Sequence, residues 1–205
     1  MARDTRSIVK MSRREGYALH PKAHKALAKR TGPPGQQGGR YQRNKASQYS
    51  LQLREKQKVK RLYGLLEKQF RGLMTEANRK EGQSGEMLLQ FLERRADNAV
   101  YRAGLASSRR AARQLVTHGH FMMNGRRVDI PSIRMKTGDV LTVRDRSKAT
   151  EYFKKLDDVS PAPSDTPAWM KVDRKKLEIT ISGVPTREEA EPDINEQLIV
   201  EYYSR

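Results

Sequence analysis

Four histidines, His20, His24, His118 and His120, are the first residues to weigh for metal or acid–base chemistry. His20 and His24 share helical spacing, but Pro21 lies between them and no HExxH pattern accompanies them. His118 and His120 flank Gly119, which puts them on opposite sides of the chain rather than on one helical face. All four read as helix-end or phosphate-facing groups. Asp97, Asp129, Asp139 and Asp145 lack a second carboxylate or nucleophile at a recognisable spacing, so backbone or arginine pairing is their expected role. There is no cysteine, hence no disulfide, thiol nucleophile or cysteine-based metal site. The run from Gly32 to Arg40 lacks GxxxxGK[ST], and no GxGxxG follows a strand. No catalytic residue, metal ligand or cofactor is expected.

The residue types in excess are lysine and arginine, 42 against 24 acidic residues in a chain of 205, for a net charge of +18. Residues 1–60 carry +13, residues 61–93 are neutral, residues 94–150 carry +9 and residues 151–205 carry −4. Two basic blocks separated by a neutral helical stretch suit a polyanion running across two surfaces, since each phosphate contact releases counterions without reading sequence. Composition leaves RNA, DNA and an anionic membrane as alternatives. The amino-terminal stretch lacks a secretory apolar run, and no segment approaches the ~18 apolar residues of a membrane span. A soluble intracellular protein is expected. Aromatic residues make up only 6%, which argues against stacking on single strands as the main device. A preformed basic surface reading folded RNA by shape fits better, with arginine forks bridging phosphates and 2′-hydroxyls.

The elements that must position these charges follow from pattern. Residues 1–45 form a basic extension with a Gly/Pro-rich loop, which orders against its partner. A helical region starts after Ser47 or Ser50; Leu62, Leu66 and Phe70 form its apolar stripe, and Arg54, Lys58 and Arg61 share another face. A second helix over Gln69–Lys80 is predicted after a break near Gly72. Helical patterning restarts at Glu86, with Leu88, Leu92, Ala96, Ala99 and Ala103 on one buried face and Gly104 as the stop. A short helix then runs from a cap at Ser107 or Ser108 to Gly119, with Ala111, Ala112, Leu115 and Val116 inward and Arg109, Arg110 and Arg113 outward.

Asn124-Gly125 predicts a tight hairpin. Strand patterns follow at Ile133–Met135, Val140–Val143 and Leu177–Ile181, with a polar helical stretch at Glu151–Leu156 and a proline-rich excursion over 160–167. Trp169, Met170 and Val172 anchor the returning chain. The last helix begins near Asp193 or Asn195, and its Ile194, Leu198 and Tyr202 face should bury against residues 47–80. Tyr101 and Phe121 read as packing residues. The expected fold is α+β: a discontinuous, mainly helical domain (46–92 completed by 186–205) with an inserted αα-hairpin plus small antiparallel sheet (93–185) as an RNA-binding module.

Four segments carry a resemblance: LQLREKQKVKRLYG from Leu51, ERRADNAVYRAG from Glu93, SSRRAARQLVTHGHFMMNGRRVDIPS from Ser107 and INEQLIVEYYSR from Ile194. Together, in this order, they resemble the uS4 family of bacterial small ribosomal subunit proteins over nearly the whole chain; GPPGQQG from Gly32 is a looser match. The resemblance implies a cytoplasmic structural constituent of the small ribosomal subunit. Such a protein is a primary binder of ribosomal RNA at a folded multi-helix junction in 16S rRNA, and it nucleates assembly of the subunit body. It also implies contact with the neighbouring protein uS5, mRNA at the entry channel and a contribution to translational accuracy, with no membrane. Many members bind zinc through amino-terminal cysteines, which this chain lacks.

The RNA-binding residues expected are Arg40, Arg43 and Lys45 in the extension, and Arg54, Lys56, Lys58, Lys60 and Arg61 on the first helical domain. The second surface comprises Arg94, Arg95, Arg102, Arg109, Arg110, Arg113, His118 and His120, continued by Arg126 and Arg127 at the hairpin. The alternatives are an RNA-modifying enzyme and a non-ribosomal RNA-binding regulatory factor carrying the same module. The rest of the chain has no identifiable catalytic domain, which counts against the first; sedimentation with the ribosome and stoichiometry discriminate the second.

Overall fold

The computed structural model describes residues 4–30, 32–35, 46–163 and 165–204. Two compact units divide the chain, one reaching Leu88 and resuming at Asp193, the other covering Leu89–Pro192. The first is built from α1 (Ile8–Glu15), α2 (Ala23–Lys29), α3 (Gln48–Leu62), α4 (Glu67–Ala77) and, at the far end of the sequence, α11 (Glu196–Tyr203). The boundary between units falls inside α5 (Ser84–Glu93).

Ser47 caps α3 by accepting from the Ser50 N–H at 3.2 Å. The break before α4 lies at Gly64 rather than near Gly72, which sits inside α4. Gly64 adopts φ 66°, a left-handed turn that a side chain would resist, and it ends α3 partway along the stripe from Leu62 to Phe70. The terminal helix α11 packs on α3. Ile199 is fully buried, Tyr202 lies 5.9 Å from Tyr49, and Tyr203 lies 6.2 Å from Phe70, centroid to centroid. A carboxyl-terminal segment thus completes the hydrophobic face that α3 and α4 cannot close alone.

The second unit comprises α6 (Ala96–Arg102), α7 (Arg109–Thr117), β1 (Phe121–Met123), β2 (Arg126–Val128), β3 (Val140–Val143), α8 (Asp145–Lys148), α9 (Glu151–Lys154), α10 (Leu156–Val159), β4 (Met170–Asp173) and β5 (Glu178–Ile181). Its five strands form one antiparallel sheet in the order β2-β1-β3-β5-β4. The class is therefore α+β. Asn124 and Gly125 take φ values of 49° and 80°, the paired positive angles of a two-residue hairpin turn. Phe121, Val116, Met135, Leu141 and Ile179 are fully buried in its core, each worth roughly 1.5–3 kcal/mol of apolar burial.

Several local expectations change. Residues 8–15 and 23–29, expected within a basic extension, form α1 and α2, because Met11 and Ala23 bury an apolar face. The helix expected from Glu86 to Ala103 is two helices, because Arg95 leaves the helical path to bridge Arg134. Residues Ile133–Met135 form that bridge rather than a strand, and the returning chain at Met170 becomes β4. Leu115 is half-buried, and the inward position of α7 is filled by Ala112 and Val116.

Candidate nucleic-acid interface

The basic positions of α3 divide sharply once their partners are in place. Lys56 and Lys60 are buried and place their Nζ atoms 2.9 Å from the two oxygens of Glu67. Lys56 Nζ also lies 4.5 Å from the Tyr202 ring centroid. Tyr203 donates its hydroxyl to Glu67 at 2.8 Å. Partial burial pushes the Glu67 carboxyl up, but the hydrogen bonds from Lys60, Lys56 and Tyr203 outweigh it and hold the group at about 2. The Tyr203 phenol is pushed up by burial and by the facing carboxylate.

Arg54 and Arg61 converge on Glu15 of α1, Arg54 Nη1 at 3.1 Å and Arg61 through a shorter contact. The Glu15 side chain is wholly buried, and desolvation raises its carboxyl above the usual range despite the two guanidinium groups. Lys58 pairs with Glu55 at 2.8 Å and donates to the Asp193 carbonyl at 2.5 Å. The five basic candidates of this helix therefore also brace α1, α4 and the start of the terminal segment. Arg40, Arg43 and Lys45 lie outside the described residues.

In the second unit the αα-hairpin is seamed by arginine. Arg95 grips Asp97 in a fork, with Nε at 3.0 Å and Nη2 at 2.7 Å, and Arg113 Nη1 reaches the same carboxylate at 3.3 Å. Arg102 forks onto Glu93, which also accepts from Asn98. Arg109 links Asn98 to Glu191, and Arg94 donates to the Met135 carbonyl at 2.7 Å. The expectation that Arg109, Arg110 and Arg113 share one outward face changes accordingly. Only Arg110 of the three is exposed, because the other two turn into the seam where acids are supplied by α6 and by Glu191.

Around this seam lies an exposed basic rim. Arg110 on α7, His118 at its end, and Arg126 and Arg127 on β2 are all exposed. Ser108 caps α7 by accepting from the Ala111 N–H at 3.3 Å. His120 is half-buried, 3.0 Å from Ser147 Oγ; burial, with His118 and Arg144 nearby, lowers its affinity for a proton. Lys136, Arg146 and Lys148 extend the exposed cations of this unit, and Arg144 binds the Gly119 carbonyl at 3.2 Å. These four were passed over in the sequence, although the density of basic residues from Arg134 to Lys148 was the available signal. Among the described residues no group of three or more His, Asp or Glu side chains forms a metal cage, and no helix is long and apolar enough to cross a membrane.

An αα-hairpin on a small sheet, edged with exposed arginine and joined to a second basic helical unit, defines an RNA-binding α+β protein. Residues 3–93 match the Ribosomal protein S4/S9 N-terminal domain, and residues 94–141 match the S4 domain. The chain is 48% identical to small ribosomal subunit protein uS4 of Chloroflexus aurantiacus over 206 residues, covering 100% of both chains. It is 49% identical to the proteins of that name from Herpetosiphon aurantiacus over 216 residues and Clostridioides difficile over 211, again with full coverage of both chains. The chain belongs to the uS4 family of small ribosomal subunit proteins. Membership makes it a structural, rRNA-binding constituent of the small subunit and not an enzyme.

Proposed function

We propose that this chain recognises a folded multi-helix junction of 16S rRNA and nucleates assembly of the subunit body in the cytoplasm. There it touches uS5 and the mRNA entry channel and contributes to translational accuracy. The observation that carries the junction reading is the division of arginines in the second unit. Arg95, Arg102, Arg109 and Arg113 are tied to acids inside the αα seam, so the rim of Arg110, His118, Arg126 and Arg127 stands on a fixed base. A rim held in place before binding is complementary to RNA that is already folded, because neither partner then loses much conformational entropy on docking. Charge on α1, α2 and α3 supplies a second electrostatic footprint within the first unit, including exposed Lys10, Arg14, Lys25 and Lys29.

The test compares a junction RNA with an unstructured strand of equal length across a salt series. Tighter binding to the junction, with log K falling steeply against log salt, is the expected outcome. Equal affinity for both would overturn shape recognition, and a flat salt response would overturn the electrostatic part. Reconstitution of the subunit with and without the chain, followed by misreading assays, tests the assembly and accuracy roles.

A further inference from the structure

Arg109 opens α7, with its guanidinium 2.8 Å from Asn98 Oδ1 through Nε and 2.7 Å from Glu191 Oε1 through Nη2. The same guanidinium lies 4.6 Å from the Tyr101 ring centroid. Arg102 Nη2 approaches that same Glu191 oxygen at 3.7 Å, while its Nε–Nη2 edge forks onto Glu93 at 3.0 and 3.1 Å. Two arginines, each oriented by other groups, thus converge on one carboxylate oxygen.

Glu191 belongs to a stretch without helix or strand, between β5 and Pro192. Its neighbours hold that strap down: Glu189 accepts from the Trp169 N–H and from Thr186, and its carbonyl accepts from Arg102 at 3.4 Å. The Glu191 side chain remains 17% exposed, so solvent reaches it. Convergent guanidinium donors are the arrangement that recognises phosphate as readily as carboxylate.

We propose that Arg102 and Arg109 form a phosphate subsite that Glu191 fills in the free chain, and that a phosphodiester of the bound RNA displaces it. The inference rests on the rRNA-binding reading and deepens it by naming an internal competitor. Asn98 and Tyr101 keep the Arg109 guanidinium aimed while the anion changes, so exchange requires movement of the strap rather than of the helices. RNA affinity is then set partly by how firmly residues 183–192 hold Glu191 in place.

Replacing Glu191 with alanine empties the subsite. Glu191→Ala should bind a small-subunit rRNA fragment roughly fivefold to tenfold more tightly at fixed salt, since binding no longer requires displacement. Asp145→Ala, which removes an equal charge from an exposed carboxylate on the same unit, should give a smaller gain. In an Arg109→Ala background the effect of Glu191→Ala should disappear. Inorganic phosphate should raise the Tm of Glu191→Ala above that in chloride of equal ionic strength, and should do so less for the parent chain. Glu191→Gln, which keeps the side-chain shape, serves if the alanine variant unfolds and should shift affinity in the same direction. Unchanged RNA affinity in a folded variant, or a gain matched by Asp145→Ala, overturns the subsite. A parent chain that fails to bind rRNA, with the phosphate-specific Tm gain of Glu191→Ala intact, would sink the functional reading and leave the subsite standing.

Discussion

The lysines of α3 and the arginines of the αα seam solve the same problem in different ways. On α3, Lys56 and Lys60 converge from one helix onto a single carboxylate, Glu67, whose side chain stays 45% exposed. In the seam, Arg95 and Arg113 meet Asp97, whose side chain is only 7% exposed, with Arg95 gripping it in a planar fork. A lysine is a point charge that tolerates a wet, adjustable partner, whereas a buried guanidinium needs its donors satisfied in fixed directions. The first cluster can therefore yield at little cost, while the second fixes the geometry of its unit. Basic residues of one family of side chains thus divide into those that hold the fold and those left on its rim.

Breaking the seam gives the largest expected effect. Asp97→Ala strands Arg95 and Arg113 in a nearly dry site and should cost about 3–5 kcal/mol, read by urea denaturation. The rim should behave oppositely. Replacing Arg110, Arg126 and Arg127 together with alanine should leave the melt nearly unchanged while reducing the log K against log salt slope by about 2–3. A comparable loss of fold in both variants would erase the distinction between seam and rim.

Glu67→Gln sharpens the contrast at lower cost, roughly 1–2 kcal/mol at neutral pH once solvent screening of its exposed side chain is allowed for. Because the Glu67 carboxyl is depressed to about 2, its contribution is complete above the unfolded value of 4.5 and is lost as pH falls toward about 2. Glu67→Gln should flatten that acid limb. Glu15 has the opposite sign: its raised carboxyl favours the folded state most below its unfolded value, and that contribution fades as pH rises through the folded one. Glu15→Gln should therefore remove a fall in stability just above pH 4.5, measured by denaturation at stepped pH. The smallest effect belongs to Ser108→Ala, which removes the α7 cap and should cost about 1 kcal/mol in a thermal melt.

Local signals made much of the fold legible. The hairpin at Asn124-Gly125, the caps at Ser47 and Ser108 and the buried row Leu88, Leu92, Ala96, Ala99 and Ala103 all follow from neighbours a few residues apart. The helix break at Arg95 was hidden because its cause, the bridge to Arg134, lies far along the chain. The candidate interface was legible in composition but not in detail. Charge identifies a basic residue, yet its fate depends on acids that arrive from elsewhere: Glu15 to Arg61, Glu67 to Lys56 and Glu191 to Arg109. A pattern of one helix face cannot register a carboxylate delivered by another element.

The strand order leaves β2 and β4 as the two margins of the sheet. Unpaired margins invite a second chain to add its own strand, the first step toward clumping. Here β2 carries Arg126 and Arg127 and β4 carries Lys171, all exposed, so an approaching copy meets like charge along both borders. The hairpin arginines thereby disfavour edge-to-edge pairing with a second copy of the chain.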